Sequence, residues 1–174
     1  DAAIIFMVDS NLQRENILPS ERAFSYKMKL EAMKRQGYRT DLTSDQVGQK
    51  SWAVNQLADD ANESKTQVQR FIRLTNLIPE ILDMVDEKKI AVNPAYELSF
   101  LKKEEQVNLL DAMDSEQATP SLSQAQRLKK FSQEGHLSID VMRAIMGEEK
   151  KSDLDKVTFT SDTLRKYFPL SLIH

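Results

Sequence analysis

Lys65, Thr66, Gln69, Arg70, Arg73 and Asn76 fall on one side of an ideal helix, and Val68, Phe71 and Ile72 fall together on the other. From Ser64 to Leu74 there is no carboxylate. A helix with such a face can offer ammonium, guanidinium and amide groups to the phosphates and base edges of the DNA major groove. In front of it Val54, Leu57, Ala58 and Ala61 mark a short helix, joined through Asn62 and Glu63, which is the pattern of a helix-turn-helix. Periodicity weighs this equally against an ordinary surface hairpin with a solvated basic face, because helix pairs with short turns are common in all-α domains.

A second polar group lies near the start of the chain. The stretch SNLQR, residues 10–14, places Asn11, Gln13 and Arg14 in a short bend between two apolar segments. On the residues alone, Asn11 could cap the bend and Arg14 could pair with Glu15 or Glu21. No Ser/His/Asp set or glycine-rich loop has the spacing of a catalytic centre. With no Cys and two unpaired His residues, His136 in a turn and His174 at the end, a metal site is not expected.

These residues need elements to hold them. The chain has 174 residues with 24 Lys and Arg against 27 Asp and Glu, so it is no polycation, and any nucleic-acid binding must come from a local patch. Its longest apolar run, residues 2–8, is far short of the roughly 20 residues of a membrane span. Absence of cysteine fits a reducing cytoplasm. The sequence starts at Asp1 without a Met or a basic leader, which reads as a cut end with residues missing before it.

Only 4 Gly and 5 Pro punctuate the chain, nearly all at plausible helix ends, so the expected fold is all-α. Ser20 is expected to N-cap a helix over 20–36, with Ala23, Tyr26, Leu30 and Met33 as its apolar repeat and Gly37 as its stop. Residues 38–51 read as a connection. Further helices are expected at 52–61, 64–74, 79–88, 93–101, 104–113, 122–134, 138–146 and 162–168. Residues 2–8 have strand propensity. Residues 114–123 read as the hinge, Trp52 as core or hinge packing, and the seven Met residues mostly as core filler.

The order SNLQRENILPSERAFSYK, then QLADDANESKTQVQRFIRLTNLIPEIL, over residues 4–105, resembles the central part of ParB-family partition proteins. That family shows an E-N-x-Q-R motif, a Pro-x-E-x-A-x-A-Y helix and a helix-turn-helix followed by L-P-x-x-(I/V). The likeness is nearest to ParB-like proteins of Gram-positive mobile elements. It implies a helix over residues 2–8 leading into the bend, where Asn11 and Arg14, with Gln13 nearby, would meet the magnesium-bound triphosphate of CTP. It also implies a DNA contact from Lys65, which stands where the family commonly has a basic residue; Thr66, Gln69, Arg70 and Arg73 are expected to join it from the same helix face.

The resemblance divides the chain into the end of a nucleotide-binding region (1–18), a helix-turn-helix domain (19–113) and a C-terminal helical region (114–174). It implies a homodimer on a centromere-like inverted repeat of double-stranded DNA. It further implies a ParA-type ATPase partner, a cytoplasmic, nucleoid-associated location and no membrane. CTP and Mg2+ would serve the full-length protein, which could be a CTPase; for these residues neither cofactor nor enzymatic activity is expected. Ser10 stands where the family has Glu, and NPAY (93–96) stands where it often has Gly-His-Ala-Arg. A helix-turn-helix transcriptional regulator without nucleotide switching is the alternative. Residues 121–151, with Arg127, Lys129 and Lys130 on one helix, could contact DNA, dimerise, or pack as a subdomain on residues 80–113.

Overall fold

The computed structural model describes residues 2–12, 14, 16–38 and 46–148. Among them the regular elements are all helices: α1 Ala2–Leu12, α2 Pro19–Tyr38, α3 Gln46–Asp60, α4 Lys65–Leu74, α5 Pro79–Asp86, α6 Val92–Leu98, α7 Lys103–Ser115, α8 Leu122–Gln133 and α9 Ile139–Met146. None of them is long and apolar enough to cross a membrane. The expected helix over 162–168 lies outside the described residues.

Local chemistry accounts for most helix starts. Ser64 accepts from the Gln67 N–H at 3.2 Å and opens α4. Ser121 and Gln124 cap each other's backbone at the start of α8, and Ser138 caps α9. Proline, with its fixed φ and missing N–H, opens α5 and α2.

At α2 the sequence expectation needs correction. The helix begins at Pro19, and Ser20 is inside it; the Leu18 N–H donates to Glu21 at 3.1 Å instead. Ser20 is claimed from a distance, its N–H donating to Asp86 of α5 at 2.9 Å and its hydroxyl donating to the same carboxylate. Gly37 does not stop α2, which runs through it to Tyr38. Likewise α3 starts at Gln46, so part of the expected connection over 38–51 is helical.

The periodic residues of α2 make one side of the core. Ala23, Tyr26, Leu30 and Met33 are buried against Leu57 of α3, Val68, Phe71 and Leu74 of α4, and Ile81 and Val85 of α5. The Tyr26 and Phe71 rings meet edge to face, their centres 6.1 Å apart. Residues 2–8 are helical, with Val8 buried where α1 lies on α2, so tertiary packing overrides their strand propensity.

Past the turn at 116–121 the core continues. Leu128 of α8 and Met142 and Ile145 of α9 are buried in it, with α8 packed on α6 and α9 on α7. Packing of this region on residues 80–113 is therefore observed. Four of the methionines, Met33, Met113, Met142 and Met146, are buried, but Met7 and Met28 are exposed. Trp52 corrects another expectation: the packed stripe of α3 is Ala53, Leu57 and Ala58, and Trp52 sits beside it at 57% exposure.

Candidate nucleic-acid interface

Two helices and a tight turn present the candidate surface. At the end of α3 the Asn62 N–H donates to the Asp59 carbonyl and the Glu63 N–H to the Ala58 carbonyl, both in the manner of a helix terminus. Asn62 takes φ +52°, a conformation Asn tolerates better than most residues, and so the chain reverses within four residues into the Ser64 cap. Val68, Phe71 and Leu74 then lock α4 into the core. Lys65, Thr66 and Gln69 are left exposed on the opposite face.

The turn is also tied to α2 by charge. Arg22 donates to Glu63 at 2.9 Å and lies over the Phe71 ring, 5.2 Å from its centre. Two turns further along α2, Lys29, with 4% of its side chain exposed, bridges Asp60 of α3 at 2.8 Å and Asp9 of α1 at 2.7 Å. These groups and Tyr26 line a polar cleft of about 530 Å³. Burial, helped by the neighbouring Glu63 charge and opposed by Arg22, pushes the Tyr26 phenol up to about 12.

Arg70 and Arg73 stand differently from the three exposed residues. Both are half-buried, because Arg70 lies over a ring of α6 and Arg73 over a ring in the turn just past it. The Arg70 guanidinium is 5.8 Å from the centre of the Tyr96 ring and donates to Asn93 at 3.4 Å. That of Arg73 is 4.1 Å from the Phe100 centre and donates to the Ser99 carbonyl at 3.5 Å. Tyr96 and Phe100 touch edge to face at 5.2 Å. Asn76 lies beyond the end of α4, and its carbonyl accepts from Lys103 at 2.6 Å. Sequence reasoning missed the role of Tyr96 and Phe100. Their four-residue spacing, one helical turn, was the available signal.

The bend that follows α1 gathers less. Asn11 lies in α1, but its side chain, like Gln13, is outside the described residues. Arg14 is exposed and lines a cleft of about 190 Å³ with Ile17, Glu21 and Ser25. That is below the roughly 300 Å³ at which small-molecule pockets begin, and the Glu21 carboxylate in its wall repels phosphate. Ser10 turns its hydroxyl back to the Phe6 carbonyl at 3.1 Å. The cleft at Arg14 is therefore too small by itself for a nucleoside triphosphate. No cluster of three His, Asp or Glu among the described residues suits a metal ion.

The cations of α8 are all committed to carboxylates. Arg127 meets Glu148 at 2.8 Å, Lys129 meets Glu97 at 2.9 Å, and Lys130 lies 3.9 Å from Glu134. Lys129 is also within 3.9 Å of the Phe100 ring centre. A neutralised face of this kind attracts phosphate weakly.

Against known families, the model of the ParB HTH domain matches residues 15–130, well over half of the chain. No curated protein and no solved structure matches.

Proposed function

From a chain that belongs to the family of the ParB HTH domain, we propose a protein that binds double-stranded DNA sequence-specifically at a centromere-like inverted repeat, in the partition of a plasmid or other mobile element. The observation that carries this reading is the face of α4. Lys65, Thr66 and Gln69 are exposed on it, with Arg70 beside them, and no carboxylate interrupts it. Inserted in a major groove, that face supplies ammonium and guanidinium groups to phosphates and an amide to base edges.

One such helix reads only a few base pairs. At about 1–3 kcal/mol per good bidentate contact, a single copy cannot pick one site from a genome. Two copies on an inverted repeat multiply the discrimination, so the reading includes a homodimer on DNA. In partition the bound complex is moved by an ATPase of the ParA type, and the protein is then found with the nucleoid.

Selection of binding sites from random duplexes tests the proposal. An inverted repeat occupied by two copies is the expected product, and single half-sites bound by one copy overturn it. The second reading, a transcriptional regulator with the same helix-turn-helix and no nucleotide switch, is favoured by Ser10 being turned onto its own helix and by the small cleft at Arg14. A site lying within a promoter, with no ParA-type ATPase retained on the DNA-bound protein, selects that reading.

A further inference from the structure

Phe100 is where three elements meet. Its ring centre is 4.1 Å from the Arg73 guanidinium of α4 and 3.9 Å from Lys129 Nζ of α8, and Tyr96 of α6 touches its edge. Two cations at one ring repel each other; Glu97, at 2.9 Å from Lys129 and largely buried with it, supplies the opposing charge. Arg73 Nε is buried without a hydrogen-bond partner. The guanidinium is therefore held by the ring and by one long hydrogen bond to Ser99, not by a network of its own.

We propose that Phe100 and Lys129 are positioning residues for the DNA-reading face of α4. Phe100 fixes Arg73 directly and Arg70 through Tyr96, and α8 holds the ring in place through Lys129. The proposal rests on the reading of α4 as the DNA-contacting helix. A guanidinium stacked on a ring keeps its in-plane N–H donors but loses most of its rotamer freedom. That ordering is then complete before DNA arrives, which favours the correct site over random sequence. The basic residue at the centre of α8 thus acts inward on the interface instead of touching DNA itself.

The test uses the whole chain with Phe100→Leu, Phe100→Trp and Lys129→Gln. Binding to the selected duplex and to a scrambled duplex is measured below each variant's melting range. Phe100→Leu should lower the ratio of the two affinities about 3- to 10-fold, and Lys129→Gln about 2- to 5-fold, as expected for loss of one or two ring contacts. Phe100→Trp, which keeps an aromatic face, should restore it. Independently of DNA, the Arg73 Nε proton should be shifted upfield by the ring and slow to exchange, in the wild type and the Trp variant but not in the Leu variant. Equal ratios for Leu and Trp, or a Leu variant that discriminates like the wild type, overturn the positioning role alone. If Phe100→Leu does not fold, an unchanged ratio in Lys129→Gln is the overturning result. A wild type that binds no duplex, with Lys65→Ala indistinguishable from it, overturns the DNA reading and this role together.

Discussion

The ammonium of Lys29 lies 2.8 Å from the Asp60 carboxylate, at the last residue of the helix that leads into the turn. Because the same ammonium also meets Asp9 at 2.7 Å, one almost fully buried charge joins α1, α2 and α3. Its burial works against the charged form, but hydrogen bonds to the two carboxylates prevail and hold its pKa above the ordinary lysine value.

Replacing Lys29 by Met should therefore destabilise the protein by about 1–3 kcal/mol, below the full cost of orphaning a buried charge because both carboxylates are half exposed. Asp9→Asn and Asp60→Asn should each cost less, since the other carboxylate still compensates the ammonium. Urea unfolding of the three variants and the Asp9→Asn, Asp60→Asn double variant checks this. A double variant no worse than the sum of the singles counts against the shared bridge.

Alkaline pH probes the same cleft through Tyr26. A phenol that ionises near 10 in the unfolded chain and at about 12 in the folded one favours folding fully below pH 10. Between pH 10 and 12 the unfolded state releases the proton first, so stability falls as pH rises through that window. Lys29, also raised, adds to the loss in the same direction. Tyr26→Phe should flatten the slope of stability between pH 10 and 12, and absorbance near 295 nm should show one tyrosine of the wild type ionising last. A variant with the wild-type slope contradicts the assignment.

What could be read from the sequence was what depends on neighbours in the chain. The Ser64 cap, the buried stripe of Val68 and Phe71 and the exposed Lys65, Thr66 and Gln69 follow from spacing on a single helix. Ser20 shows the limit: its type suits a cap, yet its partner is Asp86, distant in sequence, and Pro19 had already started the helix. Arg73 shows it again at the site, since nothing within α4 announces Phe100. Residue type alone points Trp52 to packing, and its place beside the buried stripe of α3 follows only from which face α2 covers.

Gln106 offers a test of how the end of α4 is held. Fully buried, it accepts from the Ile78 N–H at 2.8 Å and donates to the carbonyls of Asn76 at 3.2 Å and Leu101 at 3.0 Å. Gln106→Leu fills the same space but leaves the Ile78 N–H and the Leu101 carbonyl short of partners, while the Asn76 carbonyl keeps Lys103. A loss of about 2–4 kcal/mol is expected, from the cost of burying unpaired backbone groups. Chemical denaturation measures it; a change under 1 kcal/mol, on the order of one ordinary hydrogen bond, means that water replaces the side chain.

The charge of α4 can be counted by salt. Each phosphate contact neutralised by Lys or Arg releases a counterion, which gives about 0.9 units of slope in a plot of log affinity against log salt. Lys65 is exposed and unpaired among the described contacts, and Arg70, though stacked near Tyr96, keeps donors free beyond its one weak bond to Asn93. The double variant Lys65→Ala, Arg70→Ala should stay folded, because neither side chain carries the core, and should bind duplex DNA more weakly at every salt concentration. Its slope should be shallower by up to about two units. Arg73→Ala, whose guanidinium lies on Phe100 and Ser99, should lower the melting temperature as well as the affinity. Polarisation titrations over a salt series distinguish these outcomes. If the double variant keeps both the affinity and the slope of the wild type, α4 does not face DNA, and the basic surface must serve another partner.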